Sequence, residues 1–380
     1  MILYLSGTTD YDIYDELLTN DLIAGGYQAQ RFNYNFIEGL ANYTEIISIA
    51  SLPYKNVCVD RIEKDENVKY ISVKNKPGKF HKFYAVQQLL KEGKQIIKQK
   101  KPQFILCDAI SLSHSIAALK LSKKYKIPAV AIVTDLPEVM CNGGKMSLFS
   151  KYTAKLMKKY PLYVLLTEQM NEIVNPKKAK PYVVVEGSYN VEEIKASEKA
   201  SKFICLYSGA LWKKDAGIEY LIEGFKKANL PDSELHFYGT GELVEEIKRI
   251  SKAHPNIQYK GFLTNKEIMK KQREASLLIN PRPSDEVFCK YSFPSKTFEY
   301  MASGTPVLMT RLPGIPQEYF NYVYIIDEET EDGVAQGLTE IFLQKDEEKR
   351  RKGASAKEFI ATEKNHLAQT KKIWEFLSQY

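Results

Sequence analysis

Apolar residues in this chain come in short unbroken runs separated by stretches of helical spacing. Ile2-Leu3-Tyr4-Leu5, Glu45-Ile46-Ile47-Ser48-Ile49, Phe104-Ile105-Leu106-Cys107, Ala129-Val130-Ala131-Ile132-Val133 and Tyr163-Val164-Leu165-Leu166 are the runs of the first half. Runs without polar alternation suit strands covered on both faces, as in a parallel sheet. Between them, 85–99 and 114–125 repeat apolar positions at helical spacing. The second of these carries Ile116, Leu119 and Leu121 and closes on lysines that complement a helix carboxyl end. Asn175-Pro176-Lys177-Lys178-Ala179-Lys180-Pro181 reads as a linker, and a second strand–helix series starts at Tyr182-Val183-Val184-Val185. It restarts at Phe203-Ile204-Cys205-Leu206-Tyr207 and continues through Leu235-His236-Phe237-Tyr238, Ile257-Gln258-Tyr259, Ser276-Leu277-Leu278-Ile279 and Pro306-Val307-Leu308-Met309. Two such series predict an α/β protein of two doubly wound domains facing a central cleft, residues 1–180 and 181–357. A helical segment, 358–380, follows with Phe359, Ile360, Leu367, Ile373, Trp374 and Leu377.

Composition narrows the class. With 44% hydrophobic and 27% charged residues over 380 positions, disordered and collagen-like readings fail. Cys58, Cys107, Cys141, Cys205 and Cys289 lie far apart without a CxxC, so neither a disulfide framework nor a zinc knuckle is expected, and a reducing cytoplasm is the natural compartment. Met1 to Leu5 is too short for the apolar core of a signal peptide, and no run approaches the roughly 20 apolar residues of a membrane span. The net charge of +7 is modest for this size and no nucleic-acid motif is present, so a nucleic-acid partner is not expected. Lys151, Lys155, Lys158 and Lys159 among Tyr152, Leu156, Met157 and Tyr160 suit either an anionic inner leaflet or a solvated helix face. Asp10-Tyr11-Asp12 has the letters of a metal-binding motif but follows the first strand and reads as a helix start. His81, His114, His236, His254 and His366 show no zinc spacing, so neither metal nor cofactor is expected.

The most informative segment is Phe293-Pro294-Ser295-Lys296-Thr297-Phe298-Glu299-Tyr300-Met301-Ala302-Ser303-Gly304-Thr305-Pro306-Val307. It predicts a proline-started loop, a helix, a glycine stop and a strand. A loop-to-helix entry presents free N–H groups and the positive dipole end, a site suited to phosphate, to which Lys296 adds a cation. Glu299, an acceptor-only group one turn in, either grips ribose hydroxyls or simply favours the first helical turn. Gly209 lets backbone approach a diphosphate that Lys213 or Lys214 would neutralise, the alternative for the lysines being a solvated loop. Gly239 and Gly241 form a tight strand-to-helix turn, and Arg282 is a candidate phosphate fork at another strand end. In the first half, Gly7 and Thr8 follow the first strand, and Asp135 ends another strand. Each has a structural alternative, a plain turn for the first two and a helix cap before Pro137 for Asp135.

Phe293 to Val307 resembles the nucleotide-sugar signature of retaining GT-B glycosyltransferases, particularly glycosyltransferase family 4 and its bacterial capsule and exopolysaccharide branch. That resemblance implies two Rossmann-like domains, the first binding the acceptor and the second the donor, with the terminal helix packing back on the first. The family's ribose-binding glutamate falls on Glu299; its sugar-contacting glutamate falls on Tyr291, a departure that leaves the sugar open. The family's phosphate-binding Arg and Lys fall on Ala210 and Ala216, so Lys213, Lys214, Arg282 or Lys296 would have to substitute. Ser295, Lys296 and Thr297 would hold the diphosphate, and the turn at Gly239 and Gly241 would lie beside the base. Thr134-Asp135 stands where many relatives have His-Asp, which makes Asp135 and Lys296 the candidate catalytic residues. The implied reaction moves a sugar, with retention and without metal, from a UDP- or GDP-sugar to a carbohydrate acceptor, lipid-linked in such pathways. A GT-B epimerase and a non-catalytic partner subunit are the alternatives.

Overall fold

The computed structural model describes residues 1–20, 27–52, 62–63, 67–73, 80–141, 144–187, 189–190, 200–212 and 217–380. The chain divides into two compact units, Met1–Ser188 with His366–Tyr380, and Tyr189–Asn365.

The first unit contains β1 (Ile2–Ser6), α1 (Tyr11–Thr19), α2 (Tyr27–Leu40), β2 (Ile46–Ala50), β3 (Ile62–Glu63), β4 (Val68–Ser72), α3 (His81–Lys100), β5 (Phe104–Asp108), α4 (Leu112–Tyr125), β6 (Ala129–Val133), α5 (Pro137–Met140), α6 (Leu148–Met157), β7 (Leu162–Leu165), α7 (Met170–Val174) and β8 (Tyr182–Val184). Its eight-stranded sheet runs β3-β4-β2-β1-β5-β6-β7-β8, parallel except for β3. Every residue of β1, β2, β5 and β6 is buried, which is why these strands read as apolar runs broken only by Ser6, Ser48 and Asp108.

The second unit contains β9 (Phe203–Ser208), α8 (Ile218–Ala228), β10 (Ser233–Tyr238), α9 (Val244–Ala253), β11 (Ile257–Tyr259), α10 (Asn265–Glu274), β12 (Leu277–Asn280), α11 (Val287–Lys290), α12 (Ser295–Ala302), β13 (Val307–Thr310), β14 (Tyr324–Ile326), α13 (Glu331–Leu343) and α14 (Asp346–Glu363). Its six strands run β11-β10-β9-β12-β13-β14, all parallel. The order reverses between β9 and β12, the point where open α/β sheets leave a crevice at their carboxyl ends. Both units are thus doubly wound, as the apolar runs predict.

Two boundaries differ from expectation. Tyr182–Val184 pairs with β7 and closes the first sheet instead of opening the second series, so 175–181 is a turn within the first unit. A three-residue apolar strand carries no mark of which sheet it joins. The segment 358–380 is not one helix either. Phe359 and Ile360 belong to α14 in the second unit, whereas α15 (His366–Leu377) packs on α2 in the first, burying Ile373, Phe376 and Leu377 with Phe36, Ile37 and Leu40. The close approach is possible because Gly39 faces Thr370, where a Cβ would come within 2.4 Å of the Thr370 hydroxyl.

Candidate functional site

The second unit gathers its candidate residues near the carboxyl ends of β9, β10 and β12. After β9 the chain turns at Gly209, whose φ is +142°, and Gly209 N–H donates to Tyr238 O at 2.9 Å. After β10 it turns at Gly239, φ +136°, where a Cβ would lie 1.8 Å from Gly209 O. Gly241 meets the same loop, since a Cβ there would fall 2.3 Å from Leu211 O. The two glycine turns are therefore interlocked, and only residues without side chains fit.

Into the space left by Gly209 comes Lys296, from the first turn of α12. Its Nζ would be 2.7 Å from a Cβ at Gly209 and lies 3.9 Å from the centre of the Tyr207 ring. Tyr207 is fixed in turn, because its phenol donates to Ala210 O at 2.8 Å. Lys296 has no carboxylate or hydrogen-bond acceptor within bonding distance among the described residues. Burial, reinforced by the nearby Arg282 guanidinium and opposed by Glu299, pulls the ammonium down to about 7. A cation held over an aromatic face at a helix start, with no fixed counter-anion, is arranged to receive an anion.

The neighbours are built to hold that geometry. Arg282 stacks 5.0 Å from the centre of the Phe288 ring. Thr297 is buried with an unpartnered hydroxyl, and Asn280, at the end of β12, has an unpartnered side-chain amide nitrogen, among the described residues. Ser295 is exposed at the first position of α12, and Tyr291 ends α11 with the Lys290 ammonium 5.3 Å from its ring centre. Lys213 and Lys214, the expected substitutes for the family's phosphate cations, lie outside the described residues.

Tyr300 is the residue that sequence reading missed. Its hydroxyl accepts the Ser208 N–H at 2.8 Å and sits 3.2 Å from Ser208 Oγ, which also accepts from the Gln272 amide at 3.2 Å. This buried cluster ties α12 to the end of β9. Tyr300→Phe strands a buried N–H and is expected to cost about 1–3 kcal/mol. A lowered urea midpoint with nucleotide binding retained is the result to look for. The only sequence signal was a tyrosine on the buried side of α12.

In the first unit the same sheet edge carries Gly7, Thr8, Asp108 and Asp135. Thr8 is buried and its N–H donates to Ser6 Oγ at 3.2 Å. Asp10 Oδ1 accepts the Asp12 N–H at 3.1 Å, the helix start expected of that motif. Asp135 does not cap α5, whose N-cap is Leu136. Partial desolvation pushes the Asp135 carboxyl up to about 6, although the residue keeps an exposed surface. Asp108, unmarked in the sequence reading, is buried and also pushed up to about 6, by burial first and then by Asp135, against the Ile110 N–H. Its signal was a carboxylate directly after the run 104–107. His114 accepts the Ser51 N–H through Nε2 at 3.3 Å and contacts Ser111 Oγ through Nδ1 at 2.5 Å; burial lowers it to about 4, so it is neutral. Among the described residues no group of His, Cys, Asp and Glu is placed to hold a metal ion.

Comparison with known proteins adds three observations. Residues 202–343 match the model of a family described as glycosyl transferases group 1. No curated protein matches the chain. Among solved structures, the chain is similar to sucrose-phosphate synthase from Thermosynechococcus elongatus, with 13% identity, 100% of this chain and 98% of that chain covered, and a TM-score of 0.72. It is similar to HepE of Anabaena in complex with UDP, with 13% identity, full coverage of both chains and a TM-score of 0.65. It is similar to a trehalose-6-phosphate structure from E. coli bound with UDP-2-fluoro glucose, with 11% identity, coverage of 100% and 99%, and a TM-score of 0.71. The chain therefore has the GT-B fold, and the segment that holds Gly209, Gly239, Arg282, Lys296 and Glu299 matches glycosyl transferases group 1.

Proposed function

We propose that the protein is a retaining glycosyltransferase that moves a sugar from a nucleoside-diphosphate sugar, a UDP- or GDP-sugar, to a carbohydrate acceptor that is lipid-linked. The observation that carries this reading is the Lys296 ammonium, seated in the space left by Gly209 at the reversal point of the second sheet without a bonded anion among the described residues. The α12 amides at Ser295 and Lys296, the Lys296 ammonium and the unpartnered Thr297 hydroxyl hold the diphosphate, Arg282 adds a second positive charge, and Glu299 accepts from the ribose hydroxyls. Support comes from the group 1 match over this segment and from structural neighbours described in complex with UDP and UDP-glucose.

In the reaction the bond between the sugar's anomeric carbon and the phosphate oxygen breaks, and a bond to the acceptor oxygen forms on the same face. The acceptor proton passes to the departing phosphate oxygen, and its growing negative charge is met by Lys296 and the helix amides. Asp135 is then a positioning group for the acceptor. This chemistry asks for no resident metal.

The test is a thermal-shift panel of UDP, GDP, ADP, CMP and dTDP with and without Mg²⁺. Binding to the folded state alone raises Tm by mass action, by about 2.7 kcal/mol of stability at a hundredfold excess over Kd. One nucleotide is expected to shift Tm with or without the metal, and Glu299→Ala to lose that shift while remaining folded. Silence across the panel, or an unchanged shift in Glu299→Ala, removes the donor-site assignment.

A further inference from the structure

We infer that the outer face of α6, with the ends of α3 and α5 beside it, is a docking surface for an anionic lipid bilayer. It rests on the transferase reading only for its consequence, access to a lipid-linked acceptor.

The basic stretch read from sequence divides on folding. Leu156, Met157 and Tyr160 turn inward and are buried, so they are not the membrane-facing groups the sequence suggested. The exposed positions are Leu148, Lys151, Tyr152 and Lys155, which recur at i, i+3, i+4 and i+7, with Lys159 one further turn on. They form one continuous stripe, opposite the buried Thr153, Ala154, Leu156 and Met157. Leu148 and Phe80 are each 82% exposed, a cost that single surface apolar residues rarely accumulate in one place.

Here they do accumulate. His81, Lys82, Pro137, Met140, Phe149 and Ser150 line one pocket of about 570 Å³, which makes the first turns of α3 and α6 and the end of α5 neighbours. The Lys82 ammonium lies 4.4 Å from the centre of the Phe149 ring. Of the lining residues Met140 and Phe149 are exposed, and Phe80 and Phe83 at the start of α3 and Leu148 and Tyr152 on α6 are exposed on the same elements. Ser51, Ser111 and neutral His114 are also among its lining.

Charge selects the occupant. Residues 144–160 contain five lysines and no carboxylate. The nearest acid on these elements, Glu138, is 3.5 Å from Lys158, and Asp135 precedes α5. Shallowly inserted aromatic tips beside lysines that meet anionic headgroups are the pattern of interfacial membrane binding. Protein interfaces are instead depleted of lysine, and a second copy would bring like charge against like.

The experiment is sedimentation of the full chain with sucrose-loaded vesicles of phosphatidylglycerol and phosphatidylcholine, against vesicles of phosphatidylcholine alone. Binding is expected to the anionic vesicles, weakening with salt. Both the double change Leu148→Asp with Phe149→Asp and the double change Lys151→Glu with Lys155→Glu should weaken it at least about tenfold. All four side chains are exposed, so the Tm is expected to hold, and Phe80→Asp on another element gives a separate check. The nucleotide-induced Tm shift, which reports the other unit, distinguishes the two ideas: vesicle binding with no shift from any nucleotide of the panel sinks the transferase reading alone. No preference for anionic vesicles, or variants that bind as wild type, overturns the docking surface. So does a wild-type dimer that Leu148→Asp with Phe149→Asp converts to monomer without any vesicle binding, which would make the occupant a second copy.

Discussion

Replacing Lys296 by Met is expected to lower the turnover of sugar transfer by about 10²–10³-fold, the usual loss when one preorganised charge at a developing anion is removed. Met keeps an unbranched chain only one atom shorter over Tyr207, so the loss belongs chiefly to charge. The sharper signature is in pH. In the free protein the half-buried Lys296 is held near 7, by desolvation first and then by Arg282. A bound diphosphate supplies the missing negative charge and raises the ammonium's pKa. Below about pH 7 the lysine is already charged and affinity is flat; above it, binding must take up a proton, so affinity falls, approaching about tenfold per pH unit until the pKa of the complex is reached. A terminal phosphate loses its second proton at a pKa of about 6, so the slope above pH 7 belongs to the protein. Calorimetry of UDP in two buffers of different ionisation enthalpy reads that proton directly. Wild-type affinity that stays level from pH 6.5 to 9 would show that Lys296 does not face the diphosphate, and Lys296→Met should be level by construction.

Gly239→Ala carries the largest expected cost to folding. The added methyl would overlap Gly209 O at 1.8 Å, an atom that cannot swing aside because Gly209 N–H is bonded to Tyr238 O and the turn is held between two strands. The φ of +136° adds strain of its own. About 3 kcal/mol or more follows, equivalent to a Tm fall of roughly 6–12 °C in a unit of this size. The same shift displaces the loop that makes room for Lys296, so UDP binding should weaken with it. A Gly239→Ala protein with wild-type Tm and affinity would mean that the interlocked turns are not as described. Gly7→Ala is the control, since a Cβ there meets nothing within 4 Å.

Much of this was legible in the chain because fully buried parallel strands must be apolar throughout. β1, β5, β6, β9 and β12 could each be read from composition alone. So could the glycine turns at 209 and 239, where the backbone needs conformations that other residues resist. The illegible parts share one cause: they depend on partners remote in sequence. Whether Tyr182–Val184 joins the first sheet or the second depends on β7, and its residues are apolar in either case. Tyr300 earns its place only through Ser208, 92 positions away. Leu156 and Leu148 are the same residue type eight positions apart, yet one lies against the protein and the other in solvent. Lys296 was named for its position at a helix start, but its seat over Tyr207 required the fold.

Tyr189 and Asn365, the first and last residues of the second unit, form a β-bridge, and Tyr189 N–H donates to Lys364 O at 3.4 Å. That unit is therefore an insert whose entry and exit lie side by side, while α15 completes the unit in which the chain began. An exchange of genetic material at those two points would replace one internal cassette and leave the packing of α15 on α2 untouched. Because closing the gap costs only a short loop, the second unit can be exchanged as one block with no need to rebuild the first.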